Sequence, residues 1–304
     1  MTMTYRRGAS LTTAATLGYA DSADLGPTAG NGFRTRWPDD LALLQEIGLT
    51  DVRLTLDWAR LQPKPGSPLD VDWVERFEQI LQATAAIGLR AWACLHDGSV
   101  PRWFDNDGGF ANDETFTAWW PRWVERAADR FGDSVQGWIP FACIPSAAPD
   151  QPWVDTWSIL GGGPPVVAAI DVRDDFAKIV NHLGLMNHLG VVLATDWDRD
   201  GVVDESRLTS ARRRWGDELR DAAELVDGSV IVSGFSAGHD DADTAAQVIS
   251  ELRATLDEAT ADGVAIDAAF IEPAIAGPDS LPGLLGQDRA ATASTEAYLG
   301  GNEG

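Results

Sequence analysis

Apolar and polar positions along this chain follow two periods. A period close to 3.6 runs through residues 39–47, 72–87, 113–131, 173–188, 207–226 and 243–262, and predicts helices there. Between them lie short β-branched or apolar runs at 9–18, 51–57, 89–95, 135–141, 190–194, 229–234 and 265–272, which predict strands. Regular alternation of strand and helix is the pattern of β/α units on a parallel sheet, and predicts an α/β fold of the (β/α)8 TIM-barrel type. Seven strands are recognisable. The eighth is either hidden near residues 164–170 or lost, so the expected barrel is shortened and possibly incomplete between strands 5 and 7. Gly48 and Gly88 stand where helices should stop, Asp72 and Asp113 where they should start. No linker divides the chain, which predicts one barrel domain over 9–299 with flexible tails at 1–8 and 300–304.

Composition narrows the partners. A 304-residue chain with 44% hydrophobic residues has ample material for a folded core. Acidic residues outnumber basic ones 47 to 23, and the formal charge of −24 repels nucleic acid and anionic lipid, so neither is expected as a partner. A small molecule is expected, and the oligomeric state is left open. No apolar run approaches the roughly 20 residues that span a bilayer. Two cysteines, Cys94 and Cys143, suit a reducing compartment, and a cytoplasmic location is expected. Arg6-Arg7 before Gly8-Ala9-Ser10-Leu11 has a faint export-signal look, but the stretch that follows is threonine- and alanine-rich and reads better as a first strand.

Asp40-Leu41 with Leu44-Gln45-Glu46-Ile47-Gly48, then Val52-Arg53-Leu54-Thr55-Leu56-Asp57-Trp58-Ala59-Arg60-Leu61-Gln62-Pro63, open a stretch from Phe33 to Pro145 that resembles glycoside hydrolase family 1, and are similar to that family's second-strand motif. Leu95-His96, Pro101 and Gly108-Gly109-Phe110 resemble its third-strand histidine motif. Asp133-Ser134-Val135-Gln136-Gly137-Trp138-Ile139 leads into the fourth strand, where the family reads asparagine-glutamate-proline. Farther on, Val230 to Ser236 resembles the nucleophile motif, with Gly234 at the nucleophile's place, and Ile271-Glu272-Pro273 replaces the tryptophan-rich sugar clamp. The resemblance implies a TIM barrel. It also implies that this chain has lost both catalytic glutamates, since no carboxylate occurs between Ile139 and Pro149. Retaining glycosidases need two carboxyl groups about 5 Å apart, one an acid/base and one a nucleophile.

Other side chains remain as candidates. Alternation along the second strand places Arg53, Thr55 and Asp57 toward the barrel interior, Asp57 nearest the C-terminal rim where catalytic groups of this architecture gather. Arg53 needs Asp57 or Glu272 to neutralise it, or forms a purely structural pair with Asp57. His96, which in the family contacts a sugar hydroxyl, is the expected general acid/base, an idle rim histidine being the alternative. Catalysis is thus expected of His96, Asp57, Glu272 and Arg53. Substrate binding is expected of Trp58, Arg60, Asp97, Trp103, Trp153, Asp196 and His239, with Trp157 and Trp197 also near strand ends. His182 and His188 lie in a helical stretch and read as surface or packing residues. The stretch Asp196 to Gly201 with Asp204 and Glu205 lacks the full spacing of a calcium loop, so no metal and no cofactor are expected.

Three functions follow. The first is a repurposed enzyme performing dehydration and Michael-type cyclisation, resembling pseudo-glycosidases recruited as cyclases in actinobacterial polyketide pathways. The second is a catalytically dead carbohydrate-binding protein. The third is a glycosidase with relocated carboxylates, such as Asp57 and Glu272.

Overall fold

The apolar runs become strands buried on both faces, as the inner staves of a helix-wrapped barrel must be. The structure is a computed structural model. It describes residues 5–20, 27–142, 151–170, 188–226 and 228–300, with the backbone alone at 151–154, 168–170 and 188. Strands β1 (Arg6–Leu11), β2 (Asp51–Thr55), β3 (Arg90–Cys94), β4 (Gly137–Trp138), β5 (Val167–Ile170), β6 (His188–Leu193), β7 (Val230–Phe235) and β8 (Ile266–Ile271) form one sheet. Its order is β4-β3-β2-β1-β8-β7-β6-β5, and every pairing is parallel. A parallel bridge from Trp138 to Val166 joins the two ends, with the Trp138 N–H donating to the Pro165 carbonyl at 2.7 Å. The eighth strand is therefore present, as β5, within residues 164–170, and the sheet closes.

Ten helices lie in the described residues: α1 (Thr13–Thr16), α2 (Phe33–Glu46), α3 (Trp58–Leu61), α4 (Val71–Ala86), α5 (Arg102–Asn106), α6 (Asp113–Phe131), α7 (Gln151–Leu160), α8 (Glu205–Glu224), α9 (Ala242–Ala261) and α10 (Ala293–Leu299). Helix α6 shows the sequence logic most plainly. Phe116, Trp120, Trp123, Val124, Ala127 and Phe131 recur at helical spacing and are all buried, and the Asn112 side chain caps the N-terminus by accepting from Glu114 and Thr115 N–H. Asn112, rather than Asp113, is the cap; for α4 the cap is Asp70 rather than Asp72. Gly48 and Gly88 do end their helices, at φ of 102° and 82°, a region that a side chain disfavours.

The first strand starts at Arg6, three residues before the expected position, and ends at Leu11, so residues 6–8 are not a tail. Arg6 closes the bottom of the barrel. Its Nη2 donates to Asp267 at 2.9 Å and its Nε to Asp51 at 3.3 Å, and Asp51 also accepts from Trp92 Nε1 at 2.8 Å. Above this polar plug, Trp92, Ile139, Val167, Ile231, Ala268 and Phe270 fill the interior. The predicted helix at 173–188 and His182 lie outside the described residues except at His188, which opens β6. No helix among the described residues is long and apolar enough to cross a membrane.

Candidate active site at the barrel mouth

The C-terminal ends of β7, β8 and β2 bring together Gly234, Glu272 and Arg53. Arg53 is buried in the interior, where its Nη2 donates to Glu272 Oε1 at 2.8 Å and its Nη1 donates to the Ser233 carbonyl. Burial works against the guanidinium's charge, but Glu272, with Cys94 and Asp97 beyond it, holds its pKa above the ordinary value. Glu272 follows β8 and keeps 24% of its side chain exposed. A Cβ placed on Gly234 would lie 2.0 Å from Glu272 Oε1 and 3.0 Å from Arg53 Nη1. The carboxylate of strand 8 thus occupies the space into which a side chain on strand 7 would project. Of the two partners that the sequence offered Arg53, the structure selects Glu272.

Asp97 forms the other polar centre. Its Oδ2 accepts from the Thr13 N–H at 2.6 Å and from the Thr55 hydroxyl at 2.8 Å, so it ties α1 to the end of β2. Cys94, on the neighbouring strand, is fully buried, and desolvation pushes its thiol up to about 12 despite Arg53. Its Sγ lies 3.2 Å from the His96 carbonyl.

Asp57 is not at the rim. The strand ends at Thr55, and two residues later Asp57 caps α3, accepting from Ala59 N–H at 3.1 Å, from the Ser99 hydroxyl at 3.1 Å and from Arg60. Its carboxylate is fully enclosed by these partners, and burial pushes its pKa up against the pull of Arg60. Arg60 is spent on Asp57 and on the Leu17 carbonyl at 3.0 Å.

His96 also departs from expectation. Its ring packs behind the sheet against Phe110, Trp120 and Phe141, at centroid distances of 4.8, 6.4 and 6.2 Å. Desolvation lowers its pKa to about 4, although Asp97 and a hydrogen bond to the Ser99 backbone oppose the shift. These surroundings favour the neutral imidazole and hold the ring among aromatic neighbours.

The remaining predicted contacts disperse. Trp58 is fully buried, stacked on Trp123 at 5.7 Å and 7° and edged by Trp103 at 5.6 Å, a cluster in which each pair adds roughly 0.5–1.5 kcal/mol beyond its burial. Trp103 donates to the Gln62 carbonyl at 3.0 Å and is half-buried in that cluster. Trp157 is core. Asp196 is an exposed partner of Arg214. His239 is a staple: its Nδ1 accepts from Asp241 N–H at 3.0 Å, leaving Nε2 to donate to the Gly201 carbonyl at 2.9 Å. Trp153 lies in α7, where only the backbone is described, and Cys143 lies outside the described residues. Sequence reasoning missed Ser10 and Thr13, both buried on the mouth side; the first strand's true register, with Ser10 paired to Arg53, was the signal that would have found them.

Comparison with known proteins identifies the same fold. Superposed on the crystal structure of beta-glycosidase BGL167, the chain gives a TM-score of 0.76 at 14% identity, covering 97% of this chain and 95% of that one. The family 1 β-glucosidase from Thermotoga maritima gives 0.71 at 12% identity over 97% and 96%. The fold is that of a β-glycosidase barrel. Residues 22–151 match Glycosyl hydrolase family 1. A beta-glucosidase of Agrobacterium sp. is 26% identical over 122 residues, 40% of this chain and 25% of that protein. Thermostable beta-glucosidase B of Thermobispora bispora is 26% identical over 161 residues, 52% of this chain and 31% of that protein. The matched stretch thus spans a third or less of these curated relatives.

Proposed function

We propose that this glycosidase-type barrel performs acid/base chemistry on a non-glycosidic small molecule, with Glu272 as the proton-transferring carboxylate. The observation that carries the reading is the Arg53–Glu272 pair in front of Gly234, set against the segment after β4, Ile139-Pro140-Phe141, which carries no carboxylate. Hydrolysis with retention needs two carboxyl groups facing one bond, whereas proton abstraction beside a carbonyl needs one. The proposed reaction class is dehydration followed by Michael-type ring closure of a polyketide-type substrate. Glu272 takes the proton α to the carbonyl, and the β-hydroxyl leaves as water, carrying that proton away. An internal hydroxyl then adds to the new double bond, passing its proton through Glu272 to the α-carbon. Atoms and electrons balance without a cofactor. His96, neutral and behind the sheet, has no part in it. A cytoplasmic location accompanies this reading, supported by the buried free thiol of Cys94.

A panel of β-hydroxy ketones carrying a tethered hydroxyl, followed by mass spectrometry for loss of water, tests this. Loss of water by the wild type, abolished in Glu272→Gln, is expected. Absence of reaction across the panel together with turnover of aryl β-glucosides would overturn the reading.

One observation favours a second reading. Glu272 reaches the space in front of strand 7, and the relatives are named beta-glucosidases, which suits a glycosidase whose nucleophile arrives from strand 8. The segment after strand 4 offers no carboxyl group between Ile139 and Pro149 to protonate the leaving oxygen, which is why it ranks second.

A further inference from the structure

The polar groups of the mouth are not all used by one another. Asp97 Oδ2 has two donors, but its Oδ1 is buried and has no hydrogen-bond partner among the described residues. The hydroxyls of Ser10 and Thr13, at 0% and 1% exposure, are also buried without a partner. The three belong to one place. Thr13 is joined to Asp97 through its N–H, and Ser10 sits beside Arg53 in the β1–β2 register. A buried carboxylate oxygen without a donor is costly to a folded protein, and a ligand that donates to it removes that cost.

Charge decides which donor fits. Asp97 and Glu272 carry two negative charges here, and Arg53 supplies one positive. Cys94 and His96 add nothing, because desolvation keeps the thiol protonated and the imidazole neutral. The described mouth therefore holds a surplus negative charge, inside a chain whose formal charge is −24. A low-dielectric cleft of one sign concentrates ions of the other. A neutral hydroxyl would satisfy Asp97 Oδ1 and leave the charge standing, and a carboxylate would be repelled.

We propose that the mouth binds its small molecule through a protonated amino group, seated against Asp97 Oδ1 with the Ser10 and Thr13 hydroxyls as flanking acceptors. This names a substrate class for the site described above and rests on that site being a ligand pocket, but not on the role given to Glu272.

Titration calorimetry with cyclohexylammonium, cyclohexanol and cyclohexanecarboxylate, which share a ring and differ in charge, reads the preference directly. Cyclohexylammonium should bind at least about tenfold more tightly than cyclohexanol, cyclohexanecarboxylate should bind weakest, and raised ionic strength should narrow the gap. Asp97→Asn should erase the preference. Should that variant fail to fold, Thr13→Val, which keeps the N–H that Asp97 accepts, should weaken the ammonium severalfold. No ammonium binding, equal binding of the three probes, preference for the carboxylate, or a full preference in Asp97→Asn would overturn the proposal. An intact ammonium preference with no Glu272-dependent reaction would sink the proposed chemistry and leave the amine site standing.

Discussion

Arg53 Nη2 and Glu272 Oε1 meet 2.8 Å apart in front of Gly234, in the space that a side chain on residue 234 would need. The two partners are not equivalent, because Arg53 is 1% exposed and Glu272 is 24% exposed. Removing Glu272 strands a buried cation, whereas removing Arg53 leaves a carboxylate that can turn to water. Glu272→Ala should cost about 3–5 kcal/mol and Arg53→Met distinctly less. Urea unfolding of both variants checks the order; equal costs would mean that Glu272 is as deeply enclosed as Arg53.

Gly234→Ala forces the pair apart, since the new Cβ would stand 2.0 Å from Glu272 Oε1. A loss of about 1–3 kcal/mol is expected, as for other insertions into filled space. Glu272-dependent turnover should fall with it. A variant as stable and active as the wild type would show that Glu272 does not rest where the structure places it.

His96 makes stability depend on pH. Its pKa is about 4 in the fold against an ordinary value of 6.5, so the unfolded chain binds the proton first as pH falls. Stability should be full above pH 7 and decline from there toward pH 4, with a share of about 2 kcal/mol lost by pH 5. Urea unfolding at pH 7 and pH 5, compared between wild type and His96→Gln, isolates this share from that of the many carboxylates. The difference between the two proteins should shrink as pH falls; a constant difference would contradict a neutral His96.

Much of the barrel was legible in the sequence, and the errors have a common physical origin. Helix α6 occupies the predicted residues because its apolar stripe is strongly periodic and its ends are marked by Asn112 and Gly132. Asp57 was misplaced because strand alternation was extended two residues past the last residue of β2, where the chain had already turned, whereas His96 follows a bend at Leu95 and still bridges to Phe141. Asp57 then reads as what its type and position favour, a helix cap. Trp58 opens a helix of four residues, too short to leave a period, and so its burial could not be seen. Arg53 lies inside its strand, and there the alternation placed it correctly.

Asp57 should therefore matter for folding rather than for reaction. Asp57→Ala removes the cap of α3, the Ser99 contact and the partner of Arg60, and should cost roughly 2–4 kcal/mol. Any reaction of the folded fraction should keep its KM and its pH profile. A stable variant with an altered pH profile would return Asp57 to the site.

Release of aryl leaving groups from β-glucosides by wild-type protein and by Glu272→Gln tests the central claim most directly. With Glu272 in front of Gly234 and no carboxylate between Ile139 and Pro149, the wild type should release no more than buffer does, and the variant should be indistinguishable from it. Steady turnover by the wild type that disappears in Glu272→Gln would contradict the account and make this barrel a working glycosidase.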